Sequence, residues 1–294
     1  MKIVVTGGAG FIGSHVAIAL KAAGYSVVAV DNLERAASAK ALEEAGVPLV
    51  VADLRRDEVP RGDVYIHAAA YIDVEESFQK PFEYAVNNAA ATLRLAAKAW
   101  REGARLVYIS SAAVYGEPKR LPIDEDHPTD PTSPYGLTKL WGEHAAALYG
   151  KMGLRYAVVR PFNVYGPRQS GPYAGVIAKF VERAKRGLPP VIYGDGEQTR
   201  DFIHVADVAE LVKTVVEKGA EGVYNAGTGR AVSVKELARL VCKLAGVDAE
   251  PIYAPRRPGD IRHSAADIRR ARALGWAPRI ELEEGLRQLL ADTL

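Results

Sequence analysis

Short, nearly unbroken apolar runs recur along the first half of the chain: KIVVT (2–6), YSVVAV (25–30), VPLVVAD (47–53), DVYIHA (63–68), ARLVYIS (104–110) and LRYAVVR (154–160). Each is strand-length and rich in β-branched residues, the pattern of parallel strands buried on both faces. Between them, apolar positions return at helical spacing over 11–23, 35–45, about 76–102 and 134–150. The order is βαβαβ, repeated, which predicts an α/β fold with a doubly wound parallel sheet of the dinucleotide-binding (Rossmann) kind. After Arg160 the texture changes. Residues 161–204 and 251–263 carry many Gly, Pro and aromatic residues, which predicts a smaller, loop-rich α/β second domain. The reading divides the chain into a dinucleotide-binding domain at 1–162 and a second domain at 163–294. A helix at 205–217 and a strand VYNAG (223–227) are expected to return to the first sheet.

Composition narrows the partners. The 294 residues are 48% hydrophobic, enough to fill a real core, and the net charge of +2 leaves no basic footprint for nucleic acid. A small-molecule partner is the better expectation. The first apolar run is strand-length and ends in glycines, unlike a signal peptide, and no stretch reaches the roughly 18 apolar residues of a membrane span. A cytoplasmic protein is expected. The single Cys242 lies in the helical run LARLVCKLAG, where a buried structural thiol is expected rather than a nucleophile. No metal site is expected.

The first chemical motif is Thr6-Gly7-Gly8-Ala9-Gly10-Phe11-Ile12-Gly13, between the first strand and the first helix. Gly7 permits a tight turn, Gly10 lets the backbone approach a pyrophosphate, and Gly13 permits close helix-to-strand packing. The helix start at Phe11 and Ile12 presents unpaired N–H groups and a positive dipole end to phosphates. The second strand leads into Asp31 and Asn32, inside the window where a carboxylate accepts hydrogen bonds from the adenosine ribose hydroxyls. A carboxylate there repels a 2′-phosphate, so NAD is expected rather than NADP. Asp53 and Leu54 end the third strand; His67, Ala68 and Ala69 end the fourth, where small alanines admit a cofactor. His67 itself reads as a hydrogen-bonded core imidazole rather than a catalytic base.

The second motif decides the chemistry. Ser133-Pro134 reads as an N-cap followed by proline at the first helical position. Tyr135 and Lys139 then share one helical face at i and i+4. A phenol near pKa 10 is a poor base at neutral pH, but a nearby ammonium favours the phenolate. Tyr135 can then accept a proton from a substrate hydroxyl as hydride leaves. The fifth strand ends in Ser110-Ser111, which places hydroxyls toward the same pocket.

The segments TGGAGFIGSH, VDNL, VADL, HAAA, YISSAAVYGE, SPYGLTKLWGEH, RPFNVYGPRQ, GDGEQTRDFIHVADVA and RRPGD, in this order and spacing, resemble the extended short-chain dehydrogenase/reductases of the UDP-galactose 4-epimerase branch. The likeness runs from Met1 to about Trp276. The resemblance implies that Tyr135 is base and acid and that Ser111 hydrogen-bonds the sugar 4-oxygen. It implies that Lys139 binds the nicotinamide ribose, and that Ser110, Asn87 and Phe162 add cofactor contacts. It further implies that Arg200 and Arg257 pair with the substrate pyrophosphate, with Asn163 on the diphosphate or sugar and Asp260 on the uridine ribose. For Arg168 a solvated or domain-bridging ion pair is the better reading.

Ala112 and Ala113 follow Ser111, where nucleotide-sugar dehydratases need an acid and a base, so that branch is not expected. UDP-glucuronate decarboxylase and uronate or N-acetylhexosamine epimerase activities stay open, as do an NAD(P)H-consuming reductase and a non-catalytic NAD sensor. Some epimerases carry a lysine near Ile72, a contact missing here, whereas the small Ser264 leaves room for an N-acetyl group. A homodimer is implied through helices 76–102 and 134–150, where Leu137, Leu140, Trp141, His144 and Leu148 form a stripe that reads equally well as core.

Overall fold

The computed structural model describes every residue except 37, 170–174, 257–260 and 293–294. Six strands run as far as Pro161, with helices between successive strands except β3 and β4: β1 (Lys2–Thr6), β2 (Ser26–Asp31), β3 (Leu49–Val51), β4 (Val64–His67), β5 (Arg105–Ile109) and β6 (Tyr156–Pro161). The chain then adds β7 (Asn163–Tyr165), β8 (Val191–Tyr193), β9 (Thr199–Arg200), β10 (Phe202–His204), β11 (Gly222–Ala226), β12 (Val232–Ser233) and β13 (Ile252–Ala254). The central sheet has the order β11-β6-β5-β4-β1-β2-β3, and every neighbouring pair in it is parallel. The order reverses between β1 and β4, the crevice where doubly wound sheets bind ligands. The third strand is shorter than its apolar run because it forms the edge; Val51 is exposed.

Side chains alternate along each strand, so the sheet has two buried faces. Ile3 and Val5 pack with Val16 and Leu20 of α1 (Phe11–Ala22) in one core. Val4, Tyr65 and Leu106 face the opposite way in a second core. The short α2 (Ala39–Glu44) leads to β3. The run 76–102 is not one helix. It divides into α3 (Val74–Gln79), α4 (Pro81–Tyr84), one π-helical turn at Ala85–Ala90 and α5 (Ala91–Arg101). Pro81 explains the first break: it lacks an N–H and excludes Lys80 from the helical region, and Lys80 sits at φ −129, ψ 50.

Helix α6 (Pro134–Gly150) follows, then α7 (Val176–Lys185), α8 (Val205–Glu217), α9 (Val234–Ala245), α10 (Arg269–Ala273) and α11 (Leu282–Ala291). Helix α8 packs on α1 and delivers the chain to β11, which pairs with β6. A third core joins Ile177 and Phe180 of α7, Leu237 and Val241 of α9, Ile192 of β8 and Leu286 of α11. Cys242 is buried in α9, where burial pushes its thiol pKa up, so it is the structural thiol expected. Among the described residues no helix is long and apolar enough to cross a membrane. On α6 the stripe divides: Leu140 is buried, while Leu137, Trp141 and Leu148 are exposed, as is His144.

Candidate active site

The glycine turn is built by close approach. Gly7 has φ 69, and a Cβ there would stand 2.5 Å from the Ala69 nitrogen. A Cβ on Gly13 would stand 2.0 Å from the Gly7 carbonyl oxygen, so helix and turn touch through the missing side chain. Gly10 meets only the Gly7 oxygen, at 3.1 Å, and its open side faces the cleft that it helps to line. Helix α1 starts behind Gly10 with no side-chain cap, which leaves the first-turn N–H groups at Phe11 and Ile12 for an anion.

A cleft opens along this turn. Gly7, Gly10, Asp31, Asn32 and Asp53 line it. Leu54, Ala68, Ala69 and Asn87 line it too, whereas Phe11, Ile12, Gly13, Ser110, Tyr135, Lys139 and Phe162 of the expected cofactor set lie outside this lining. The Asp31 carboxylate accepts from Ala9 N at 3.1 Å and Leu33 N at 2.9 Å, and burial raises its pKa. These bonds aim the group while leaving lone pairs for a diol. Asp53 is engaged otherwise: Arg55 Nε lies 2.8 Å from its Oδ1, which lowers the Asp53 pKa. Arg55 also donates to Glu34, and the Tyr71 hydroxyl donates to Glu34 Oε2 at 2.5 Å, closing that end of the cleft. Asn87 reaches the cleft from the π-helical turn. Its neighbour Asn88 anchors the turn, accepting from Tyr71 N at 2.8 Å and donating to Tyr71 O and Thr138 Oγ1 at 3.0 Å.

The other group of predicted residues gathers at the carboxyl ends of β5 and β6. Ser133 caps α6, its hydroxyl accepting from Gly136 N at 3.1 Å, with Pro134 at the first helical position. Two glycines let α6 lie close. A Cβ on Gly136 would stand 2.6 Å from the Ala113 oxygen, and one on Gly142 2.3 Å from the Tyr108 hydroxyl. Tyr135 therefore meets the Ser111 segment. Burial raises the Tyr135 pKa, and a hydrogen bond with Ser111 draws it back. Ser111 caps the short 3₁₀ turn Ala112–Val114, its hydroxyl accepting from Ala113 N at 3.1 Å.

Lys139 is 3% exposed. Its Nζ donates to the Ile109 carbonyl at 2.6 Å and lies 4.6 Å from the Tyr108 ring centroid. Burial lowers its pKa to about 7, against the opposing effect of the Glu143 carboxylate. The Ser110 hydroxyl donates to Glu143 Oε1 at 2.5 Å. Phe162 is buried beside Tyr115, and its N–H donates to Ala226 O.

His67 is fully buried between Thr6 Oγ1 (2.7 Å) and Thr92 Oγ1 (2.8 Å), and burial lowers its pKa to about 3. It is a neutral core imidazole. Among the described residues no cluster of His, Cys, Asp or Glu is arranged to hold a metal ion.

On the substrate side, Asn163 starts β7 and its N–H donates to Asp201 O. Arg200 is buried in β9, with Nη1 donating to Thr199 O at 2.8 Å. Its neighbour Asp201 organises this region by accepting from Thr228 N, Gly229 N and Ala266 N. Arg257 and Asp260 lie outside the described residues. Arg168 is half-buried with φ 66, and among the described residues its Nε has no hydrogen-bond partner and its guanidinium forms no ion pair.

Sequence reasoning missed Asn88, Asp201 and the Glu143–Arg160 pair. Glu143 alone carried a signal, because Tyr135, Lys139 and Glu143 repeat every four residues.

A model of the NAD dependent epimerase/dehydratase family matches residues 3–227. A putative UDP-glucose 4-epimerase of Methanocaldococcus jannaschii is 39% identical over 98% of this chain and 97% of its own. The UDP-glucose 4-epimerase of Mycolicibacterium smegmatis is 38% identical over 97% and 96%. The crystal structure of UDP-glucose 4-epimerase from Thermotoga maritima with UDP-glucose superposes with a TM-score of 0.94 at 38% identity, covering 99% of this chain and 97% of that one. The Thermus thermophilus UDP-glucose 4-epimerase complex with NAD gives 0.91 at 36%, covering 99% and 98%. With the glycine cradle, the Asp31 carboxylate and the tyrosine–lysine helix in place, the chain belongs to the NAD-dependent epimerase/dehydratase family.

Proposed function

We propose that the protein is a UDP-galactose/UDP-glucose 4-epimerase that inverts C4 through a transient 4-keto sugar with no net redox change. The observation that carries this reading is the meeting of Tyr135, Lys139 and Ser111 at the end of the sheet that also bears the glycine cradle. The cradle, which a Cβ on Gly7 or Gly13 would fill, and the aimed Asp31 carboxylate fit NAD. Bound NAD supplies the two-electron acceptor that takes hydride from C4 and gives it back.

The protein's own groups move the proton and hold the sugar. Ser111 donates to the 4-oxygen. Tyr135, as phenolate, takes the C4 hydroxyl proton and later returns it. The Lys139 ammonium favours the phenolate by its charge. Arg200 and Arg257 hold the diphosphate, Asn163 assists them and Asp260 binds the uridine ribose, so the hexose turns about its link while the nucleotide stays. Residues 1–162 with 205–227 form the cofactor half, and the remainder of 163–294 forms the nucleotide-sugar half. Ala112 and Ala113 supply no acid or base beside Ser111, against a dehydratase. Ser264, four residues after Asp260 in the sequence, is small and buried, which favours N-acetylhexosamines as a second substrate class. A similar solved structure, at 35% identity, is a UDP-N-acetylglucosamine 4-epimerase from Methanobrevibacter ruminantium.

The exposed Leu93 and Trp100 of α5 and Leu137, Trp141 and Leu148 of α6 support a homodimer through these helices. The lone buried thiol suits the cytoplasm. The test is incubation with UDP-galactose, with and without added NAD, and chromatographic separation of the nucleotide sugars. UDP-glucose is expected without accumulation of NADH. No conversion in either tube would refute the reading in favour of UDP-glucuronate or UDP-N-acetylhexosamine chemistry.

A further inference from the structure

Behind the tyrosine–lysine pair lies a second charged pair. Glu143 follows Lys139 by one helical turn on the same face of α6. Its Oε1 accepts from Ser110 Oγ at 2.5 Å and from Arg160 Nε at 2.9 Å; its Oε2 accepts from Arg160 Nη2 at 2.6 Å. Both side chains are buried. Arg160, on β6, donates onward through Nη1 to the Tyr115 hydroxyl at 2.9 Å and to Glu125 O at 3.1 Å. Tyr115 in turn donates to Asn225 Oδ1 at 2.7 Å.

We propose that Glu143, with Arg160 as its counter-ion, is a positioning residue for the Tyr135–Lys139 proton relay, balancing the charge behind Lys139 and tying α6 to the strand end that carries Ser111. The inference rests on the epimerase reading only in that the relay it serves is the one described there.

Two observations carry it. The first is mechanical. Ile109, Ser110 and Ser111 are consecutive: Lys139 holds the first by its carbonyl, Glu143 holds the second by its hydroxyl, and Tyr135 meets the third. A slide of α6 along β5 would break both ties and draw Tyr135 away from Ser111.

The second is electrostatic. A buried ion pair is a poor way to gain stability, because desolvation offsets its attraction and apolar residues pack as well. What it supplies here is an anion beside a buried ammonium. The other titratable groups facing this region do not replace it. His67 from β4 is neutral, while Tyr108 from β5 and Tyr115 have phenols that burial holds protonated. Glu125 is buried, with Arg270 Nε 3.7 Å from its carboxylate. Glu143 is the carboxylate that acts on Lys139, opposing the burial that lowers the lysine.

The test reads the Tyr135 phenol directly. Phenolate absorbance is titrated in the NAD-loaded protein, and the curve of the same background carrying Tyr135→Phe is subtracted. Glu143→Gln keeps the shape but leaves Arg160 uncompensated, so the Tyr135 midpoint is expected to shift by on the order of one pH unit. Arg160→Met leaves the carboxylate uncompensated; read above neutral pH, it is expected to move the midpoint the opposite way. Glu143→Gln/Arg160→Met carries no unpaired charge and is expected to return the midpoint to the wild-type value. Glu143→Asp keeps the charge but shortens the tie to Ser110, so kcat is expected to fall several-fold with KM and midpoint unchanged.

Midpoints equal in wild type and both single variants, or displaced in the same direction, would overturn the proposal. If one single variant fails to fold, the other and the double variant decide. The titration does not depend on which sugar is turned over, so failure of wild type to convert UDP-galactose would sink the epimerase reading without touching this result.

Discussion

Replacing Lys139 by methionine should abolish the relay and yet make the cofactor-free protein more stable at mildly acid pH. The ammonium is 3% exposed, and burial lowers its pKa from 10.5 to about 7. A displacement of that size corresponds to about 5 kcal/mol that disfavours the folded state wherever the lysine is charged in both states. Methionine fills much of the same space but leaves the Ile109 carbonyl without its 2.6 Å donor, a loss of about 1–3 kcal/mol. The variant should therefore be more stable than wild type by about 2–4 kcal/mol at pH 6. The folded pKa lies below the unfolded one, so between pH 7 and 10.5 the unfolded chain binds more protons and wild-type stability rises with pH. The advantage of the variant should shrink by about 1.4 kcal/mol per pH unit across that window and stay constant below it. Urea unfolding of both proteins, without cofactor, from pH 6 to 9 measures the difference. A variant less stable than wild type at pH 6, or a difference that does not change with pH, would refute the burial argument.

Tyr135→Phe should lower kcat for UDP-galactose by about 10²–10⁴-fold, the usual worth of a positioned acid–base group, while the NAD content of the purified protein stays at the wild-type level. A turnover assay beside a bound-cofactor determination checks both halves. Gly13→Ala puts a Cβ 2.0 Å from the Gly7 oxygen, so the turn must shift, and NAD should bind at least about tenfold more weakly by calorimetry. Gly24→Ala, with nothing within 4 Å of the added carbon but φ 89, should cost stability through backbone strain and leave the affinity of the folded protein unchanged. Trp141→Glu puts a charge on the exposed face of α6; by light scattering the wild-type protein is expected to be a dimer and the variant a monomer.

What could be read from the chain alone was whatever adjacency along the chain determines. The cap at Ser133 with Pro134, the face shared by Tyr135 and Lys139, and the glycine turn into α1 each depend on spacings of a few residues, and all stand where they were expected. The chain also carried a warning that periodicity masked: the helical pattern of 76–102 runs through Pro81, and the helix breaks there. The π-helical turn that follows was not legible, because its anchor is Asn88 bonded to Tyr71 and Thr138, partners 17 and 50 residues away. The same limit hid Glu143. Its spacing from Lys139 was visible, but an exposed glutamate and a buried one look alike until β6 brings Arg160 against it and β5 brings Ser110. The proposed relay is thus written locally in Tyr135 and Lys139, while much of their surroundings comes from β5 and β6 and cannot be assigned before the fold. That division explains why a five-residue motif points to a reaction class and says little about rate or pH dependence. On the proposal made above, those properties turn on Glu143 and on Arg160 and Tyr108, and the last two reach the tyrosine–lysine helix only from β6 and β5.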